Sequence, residues 1–91
     1  MTEEWRTEAV EAVLRVLAQT GLGVSPGGIA ANIERLLRED VDVAAVEDAL
    51  ERLADRNMVK SLDAGDYYRL TERGREYATA EFGDDVFGYI D

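Results

Sequence analysis

The chain contains no cysteine and no histidine. The first absence excludes disulfides and thiolate metal sites. The second removes the commonest general base and metal ligand. Together they leave no familiar catalytic triad or thiol nucleophile, so the expectation is a protein that is not an enzyme and carries no metal or cofactor. There is a single proline, Pro26, a single tryptophan, Trp5, and a single lysine, Lys60. No apolar run approaches the roughly 20 residues of a membrane-spanning helix. Glu3, Glu4 and Glu8 stand where a signal peptide would carry basic residues. A cytoplasmic protein with no membrane contact is expected.

What is abundant is negative charge. The 91 residues hold 20 acids against 10 bases, a net charge of −10. A small domain needs a magnitude of only about 2–8 for solubility. Nine of the ten bases are arginine. An acidic chain almost without lysine resembles proteins of salt-loving archaea, whose molar intracellular KCl shortens the Debye length to about 3 Å or less and screens self-repulsion. The acids are spread along the chain, and in only one stretch do bases match them. Residues 58–76 carry four bases, Lys60, Arg69, Arg73 and Arg75, against four acids, Asp63, Asp66, Glu72 and Glu76. Length gives one domain, and the 46% apolar content supports one modest core.

Apolar spacing predicts four helices and one hairpin. Trp5, Ala9, Val13 and Leu17 recur at four-residue intervals, giving a first helix from about Glu3 to Gln19 with Thr2 as its cap. Ser25-Pro26 then opens a second helix in cap-then-proline order, with Ile29, Ile33, Leu36 and Leu37 as its apolar face. Asp40 or Asp42 caps a third, whose inward set is Val46, Ala49, Leu50 and Leu53. Residues 58–62 and 66–70 read as strands joined by the turn Asp63-Ala64-Gly65, which pack on the helices through Val59, Tyr68 and Leu70. Thr71 caps a fourth helix carrying Tyr77, Ala78 and Phe82.

Other patterns that suggest chemistry have plainer readings. The glycines of 21–28 precede a helix but lack the lysine of a phosphate-binding loop. Asp63-Ala64-Gly65-Asp66 is too short for a calcium loop. Carboxylate pairs such as Glu47/Glu51 and Asp84/Asp85 are what a surface with 20 acids produces by chance.

The segments SPGGIAANIERL, ALERLADRNMV and YYRLTERGREYA are similar to small haloarchaeal winged-helix regulators of the phage-repressor-like group. The resemblance spans about residues 25 to 80. It implies a mainly α fold with a small β-hairpin: a three-helix core, a wing and a C-terminal helix, over residues 1–82. Residues 83–91 form an acidic, aromatic tail. It also implies sequence-specific binding of double-stranded DNA, as a dimer, in a halophilic archaeon. The third helix, about 43–57, would enter the major groove, and the wing, 58–70, would lie on the backbone.

The third helix departs from that pattern. Where such regulators place serine, arginine, glutamine or tyrosine, this chain reads Asp42-Val43-Ala44-Ala45-Val46-Glu47-Asp48. Its outward face is Ala44, Ala45, Asp48, Glu51, Arg52 and Asp55. Alanine touches a thymine methyl and an acid accepts from cytosine N4, but neither reaches phosphate. Candidate DNA-contacting residues are therefore Ala44, Ala45, Asp48, Arg52, Arg56, Lys60, Arg69 and Arg73. Equally, each of these bases has acids near enough to pair with at four-residue spacing or across the hairpin. The tail's Phe87, Tyr89 and Ile90, with Trp5 and Phe82, are candidates for a homodimer seam, or fold back onto the first helix. An alternative function uses the acidic third helix to dock a basic protein partner, with no DNA bound.

Overall fold

Among the described residues four helices begin the same way, with a short polar side chain folding back onto the first turn. The computed structural model describes residues 7–20, 23–62 and 66–83. Within it α1 spans Glu8–Ala18, α2 Pro26–Leu37, α3 Val43–Asp55 and α4 Glu72–Phe82, with strands β1, Val59–Leu62, and β2, Tyr67–Leu70, between α3 and α4. The caps are Thr7, Ser25, Asp42 and Thr71, each in extended backbone. Their side-chain oxygens accept from the amides of Val10, Gly28, Ala45 and Gly74 at 3.2, 3.1, 2.9 and 3.0 Å. Each satisfies one of the donors that a helix start leaves without a partner.

The α1 start corrects the sequence expectation. Thr7, not Thr2, is the cap, because Thr7 is extended and its hydroxyl takes the Val10 amide. Thr2 lies outside the described residues. Asp42, not Asp40, caps α3.

The end of α3 is as well specified as its start. Asn57 adopts a left-handed φ of 61°. The Asn57 amide donates to Ala54 O and the Met58 amide to Leu53 O, both at 3.0 Å. This is the paired closure in which a left-handed residue ends a helix and turns the chain sharply away. Here it delivers the chain directly into β1.

Helix α1 packs against α2, α3, α4 and β2, so it forms the centre of the core. Its Val10, Val13, Leu14 and Leu17 meet Ile29 and Ile33 of α2 and Val46, Leu50 and Leu53 of α3, all essentially without exposure. No charged side chain is buried among the described residues. Leu36 departs from expectation: it is 44% exposed. Leu37, four residues beyond Ile33, takes the inward place at the helix end and packs on the core.

The strands pair antiparallel, Val59 with Leu70, Lys60 with Arg69, Ser61 with Tyr68 and Leu62 with Tyr67. Val59 and Leu70 are buried and Tyr68 packs on the core, as the sequence predicts. Val24, read from sequence as loop, joins the sheet edge. It exchanges two backbone hydrogen bonds with Tyr68, both 2.9 Å. Helix α4 is then strapped to the α3–β1 junction, where the Thr71 amide donates to Met58 O at 2.9 Å and its hydroxyl to Asn57 O at 2.6 Å. Its far end returns to α1, where the Arg15 guanidinium lies 4.7 Å from the centre of the Phe82 ring.

Candidate functional site

Two surfaces gather the residues singled out from sequence, one on α3 and one on the hairpin. On α3, Ala44, Ala45, Asp48 and Arg52 follow one another at spacings that keep them on one side of the helix. Ala44 and Asp48 are exposed; Ala45 and Arg52 are half-buried. The same solvent side carries Glu47, Glu51 and Asp55, all exposed. Four acids thus face water against one arginine, and that arginine is already engaged. Arg52 Nε donates to Asp48 Oδ2 at 2.8 Å, a pair four residues apart. At 37% and 61% side-chain exposure the pair contributes only a few tenths of a kcal/mol. Arg56 is the exposed C-cap residue of α3.

The hairpin differs. Side chains alternate faces along a strand, and burial of Val59, Leu70 and Tyr68 fixes the inner face. The outer face therefore carries Lys60 opposite Arg69 and Leu62 opposite Tyr67. Both cations are exposed, and among the described residues neither makes an ion pair. Pairing with an acid across the ribbon is ruled out by register, since each faces the other. Arg73 is exposed in the first turn of α4. A cation there sits at the unfavourable end of the helix dipole, so helix stability does not account for it.

Of the proposed dimer-seam residues only Phe82 lies within the described residues. It is half-buried against the core beneath Arg15. Trp5, Phe87, Tyr89 and Ile90 lie outside them, as does the tail from residue 84. Sequence reasoning did not single out Tyr67, Leu62 or Val24. The first two carried a signal: once Tyr68 and Leu70 point inward, alternation sends Tyr67 and Arg69 outward. Val24 carried none, because a single bridged residue has no period.

Among the described residues, no helix is long and apolar enough to cross a membrane, and no group of acids is arranged to hold a metal ion. The recess between α1 and the end of α2 is lined by Glu8, Glu11, Arg15 and Glu39 over Ala12 and Leu37.

The helical core, the hairpin with its bridged third segment and the strapped fourth helix define a winged-helix fold. The crystal structure of adhesin competence repressor from Streptococcus pyogenes is similar, with a TM-score of 0.58 at 20% sequence identity. The match covers 88% of this chain and 57% of that one, so this chain spans little more than half of that protein's length. No protein-family model and no curated protein matches the sequence. At 20% identity the likeness is one of fold.

Proposed function

We propose that this chain is a winged-helix transcriptional regulator that binds double-stranded DNA, with α3 as recognition helix and the β1–β2 hairpin as wing. The observation that carries the reading is Lys60 directly opposite Arg69 on the exposed face of the hairpin. Like charges at that spacing destabilise a ribbon, by up to about 1 kcal/mol relative to an opposite pair. A chain with twice as many acids as bases has every opportunity to place an acid there. Two cations held together with no counter-charge among the described residues fit a phosphate backbone. Arg73 and Arg56 extend the set of exposed bases. On α3, Ala44 and Ala45 suit thymine methyls and Asp48 suits cytosine N4. Adhesin competence repressor, of similar fold, is by its name a repressor, which supports the regulatory half.

The finer parts of the reading are that the regulator works as a homodimer, in the cytoplasm of a halophilic archaeon. In concentrated salt, the affinity gained from counterion release is small. An acidic recognition helix is then a lesser handicap, and base edges and shape carry more of the affinity.

One observation favours a second reading, a protein-interaction module. The solvent side of α3 carries four exposed acids and its one arginine is tied to Asp48, which suits a basic partner better than phosphate.

The test is selection from a randomised duplex pool at about 2 M KCl, followed by fluorescence-anisotropy titration of the enriched sequence. The expected product is a palindrome with half-sites about 10 base pairs apart. Arg69→Ala should then weaken binding without unfolding the domain. Folded protein that enriches nothing would overturn the DNA reading and leave the protein-binding one.

A further inference from the structure

The hairpin's outer face holds more than its two cations. Leu62 and Tyr67 are the next cross-strand pair on that face, one step nearer the turn. Tyr67 is 44% exposed, whereas Tyr68 and Tyr77 pack on the core. Its ring is exposed but its root is fixed. A β-carbon placed on Gly23 would meet Leu62 Cδ1 at 2.9 Å and Tyr67 Cβ at 3.1 Å. The bare Gly23 therefore lets the α1–α2 connection lie against the end of the Leu62 side chain and the base of Tyr67, and the Val24–Tyr68 backbone pair locks it there at 2.9 Å. Among the described residues no cation lies over the Tyr67 ring. An aromatic ring on a braced ribbon, left uncovered beside two unneutralised cations, is a surface prepared for something that is both anionic and apolar-edged.

We propose that Tyr67 is a DNA-contacting residue. Lys60 and Arg69 hold phosphates of one strand, and the Tyr67 ring packs against the adjoining deoxyribose. The assignment rests on the DNA-binding reading above and adds to it a residue and a division of labour: the wing supplies the ionic affinity and α3 supplies discrimination. The dimensions agree. Paired side chains across the ribbon start about 5 Å apart and successive ones on a face about 7 Å apart. A DNA strand presents one phosphate per roughly 3.4 Å of helix axis, with a sugar between each. The roughly 7 Å side of that rectangle therefore covers about two phosphate intervals of one strand, enough to place both cations and the Tyr67 ring on the same stretch of backbone. Deoxyribose offers carbon-bound hydrogens that an aromatic face covers well, and the phenol hydroxyl can donate to a phosphate oxygen.

The experiment uses the full chain and a fluorescein-labelled duplex of randomised sequence, about 24 base pairs long so as to span two half-sites, titrated over a KCl series. Lys60→Gln/Arg69→Gln is expected to flatten the slope of log affinity against log salt by about 1.8, two phosphates' worth. Tyr67→Ala is expected to weaken binding about tenfold with the slope unchanged, since it removes apolar contact and no charge. Tyr67→Phe should restore most of that loss. Because Tyr67→Ala also removes a cross-strand pair, a second measurement uses the wild-type chain: tetranitromethane nitration, located by mass spectrometry, with and without the duplex. Tyr67 nitration is expected to slow several-fold when duplex is bound. If the wild type binds but Tyr67 nitrates at the same rate and Tyr67→Ala binds equally well, the assignment is wrong while DNA binding stands. If the wild type binds no duplex at any salt, the underlying reading falls first.

Discussion

Gly74 and Gly27 show how differently one residue type is used here. Gly74, in the first turn of α4, faces the α3–β1 junction, and a β-carbon there would run into Met58 O while lying 3.0 Å from the Met58 carbonyl carbon and 3.1 Å from Leu70 Cδ2. Most of what it meets is backbone, which cannot swing aside. Gly74→Ala should therefore destabilise the domain by about 2–3 kcal/mol, lowering the melting temperature by on the order of 10–20 °C. Gly27, in the first turn of α2, has nothing within 4 Å of the same position. Gly27→Ala should stabilise by about 0.4–1 kcal/mol, because it restricts only the unfolded chain. Thermal melts of the two variants beside wild type check both signs; equal effects would show that the α4 start is not in close contact with Met58 at the α3–β1 junction. The sequence offers no way to tell these glycines apart. Both sit in a first turn just after a cap, and only Met58, packed against Gly74 from earlier in the chain, distinguishes them.

At the level of elements, the helix starts were the most legible part of the chain. Ser25, Asp42 and Thr71 each precede an apolar-periodic run and each caps it. Capping is local: the hydroxyl or carboxylate reaches an amide three residues on, so the pattern contains both partners. Asp42→Ala is accordingly expected to cost about 1 kcal/mol, readable as a shift in urea midpoint, with Asp40→Ala near zero. A reversed order would mean that the cap belongs to Asp40 after all. The first helix was placed too early because Thr2 and Thr7 both precede apolar residues in phase with the same stripe. Periodicity does not say which threonine leaves the helix. Leu36 was misplaced for a related reason: at the last turn of a helix, being in phase does not guarantee a wall to pack on. The hairpin's inner face followed from alternation, but its consequence did not. That Lys60 faces Arg69 depends on register, which turn geometry and burial of Val59 with Leu70 set together.

Across the whole molecule the dominant feature is charge. A net −10 on 91 residues repels itself over about 10 Å in dilute buffer and over 3 Å or less in molar salt. No charged side chain is buried among the described residues, so salt reaches the charges they carry. The melting temperature should rise by several degrees between about 0.1 M and about 2 M KCl. A flat or falling curve would argue against the proposal that the protein works in concentrated salt. On the proposed DNA-binding reading the same screening has a consequence: affinity measured at high salt would rest on contacts that are not purely ionic, the role proposed for Tyr67 and the alanines of α3.

The sequence by itself determined the order of elements, the caps Ser25 and Thr71, the choice of Asp40 or Asp42 for the third, the inward residues of α3 and the presence of a wing. Those features depend on partners within about four residues along a helix or two along a strand, distances a local pattern records. Tertiary structure alone decided that Val24 joins the sheet by pairing with Tyr68, that Gly74 must stay bare, that Leu36 faces water, and that the two wing cations stand opposite each other beside an exposed tyrosine braced by Gly23. Each of those depends on segments far apart in the chain being brought together by the burial of a shared core, and no local spacing encodes which atoms that burial sets face to face.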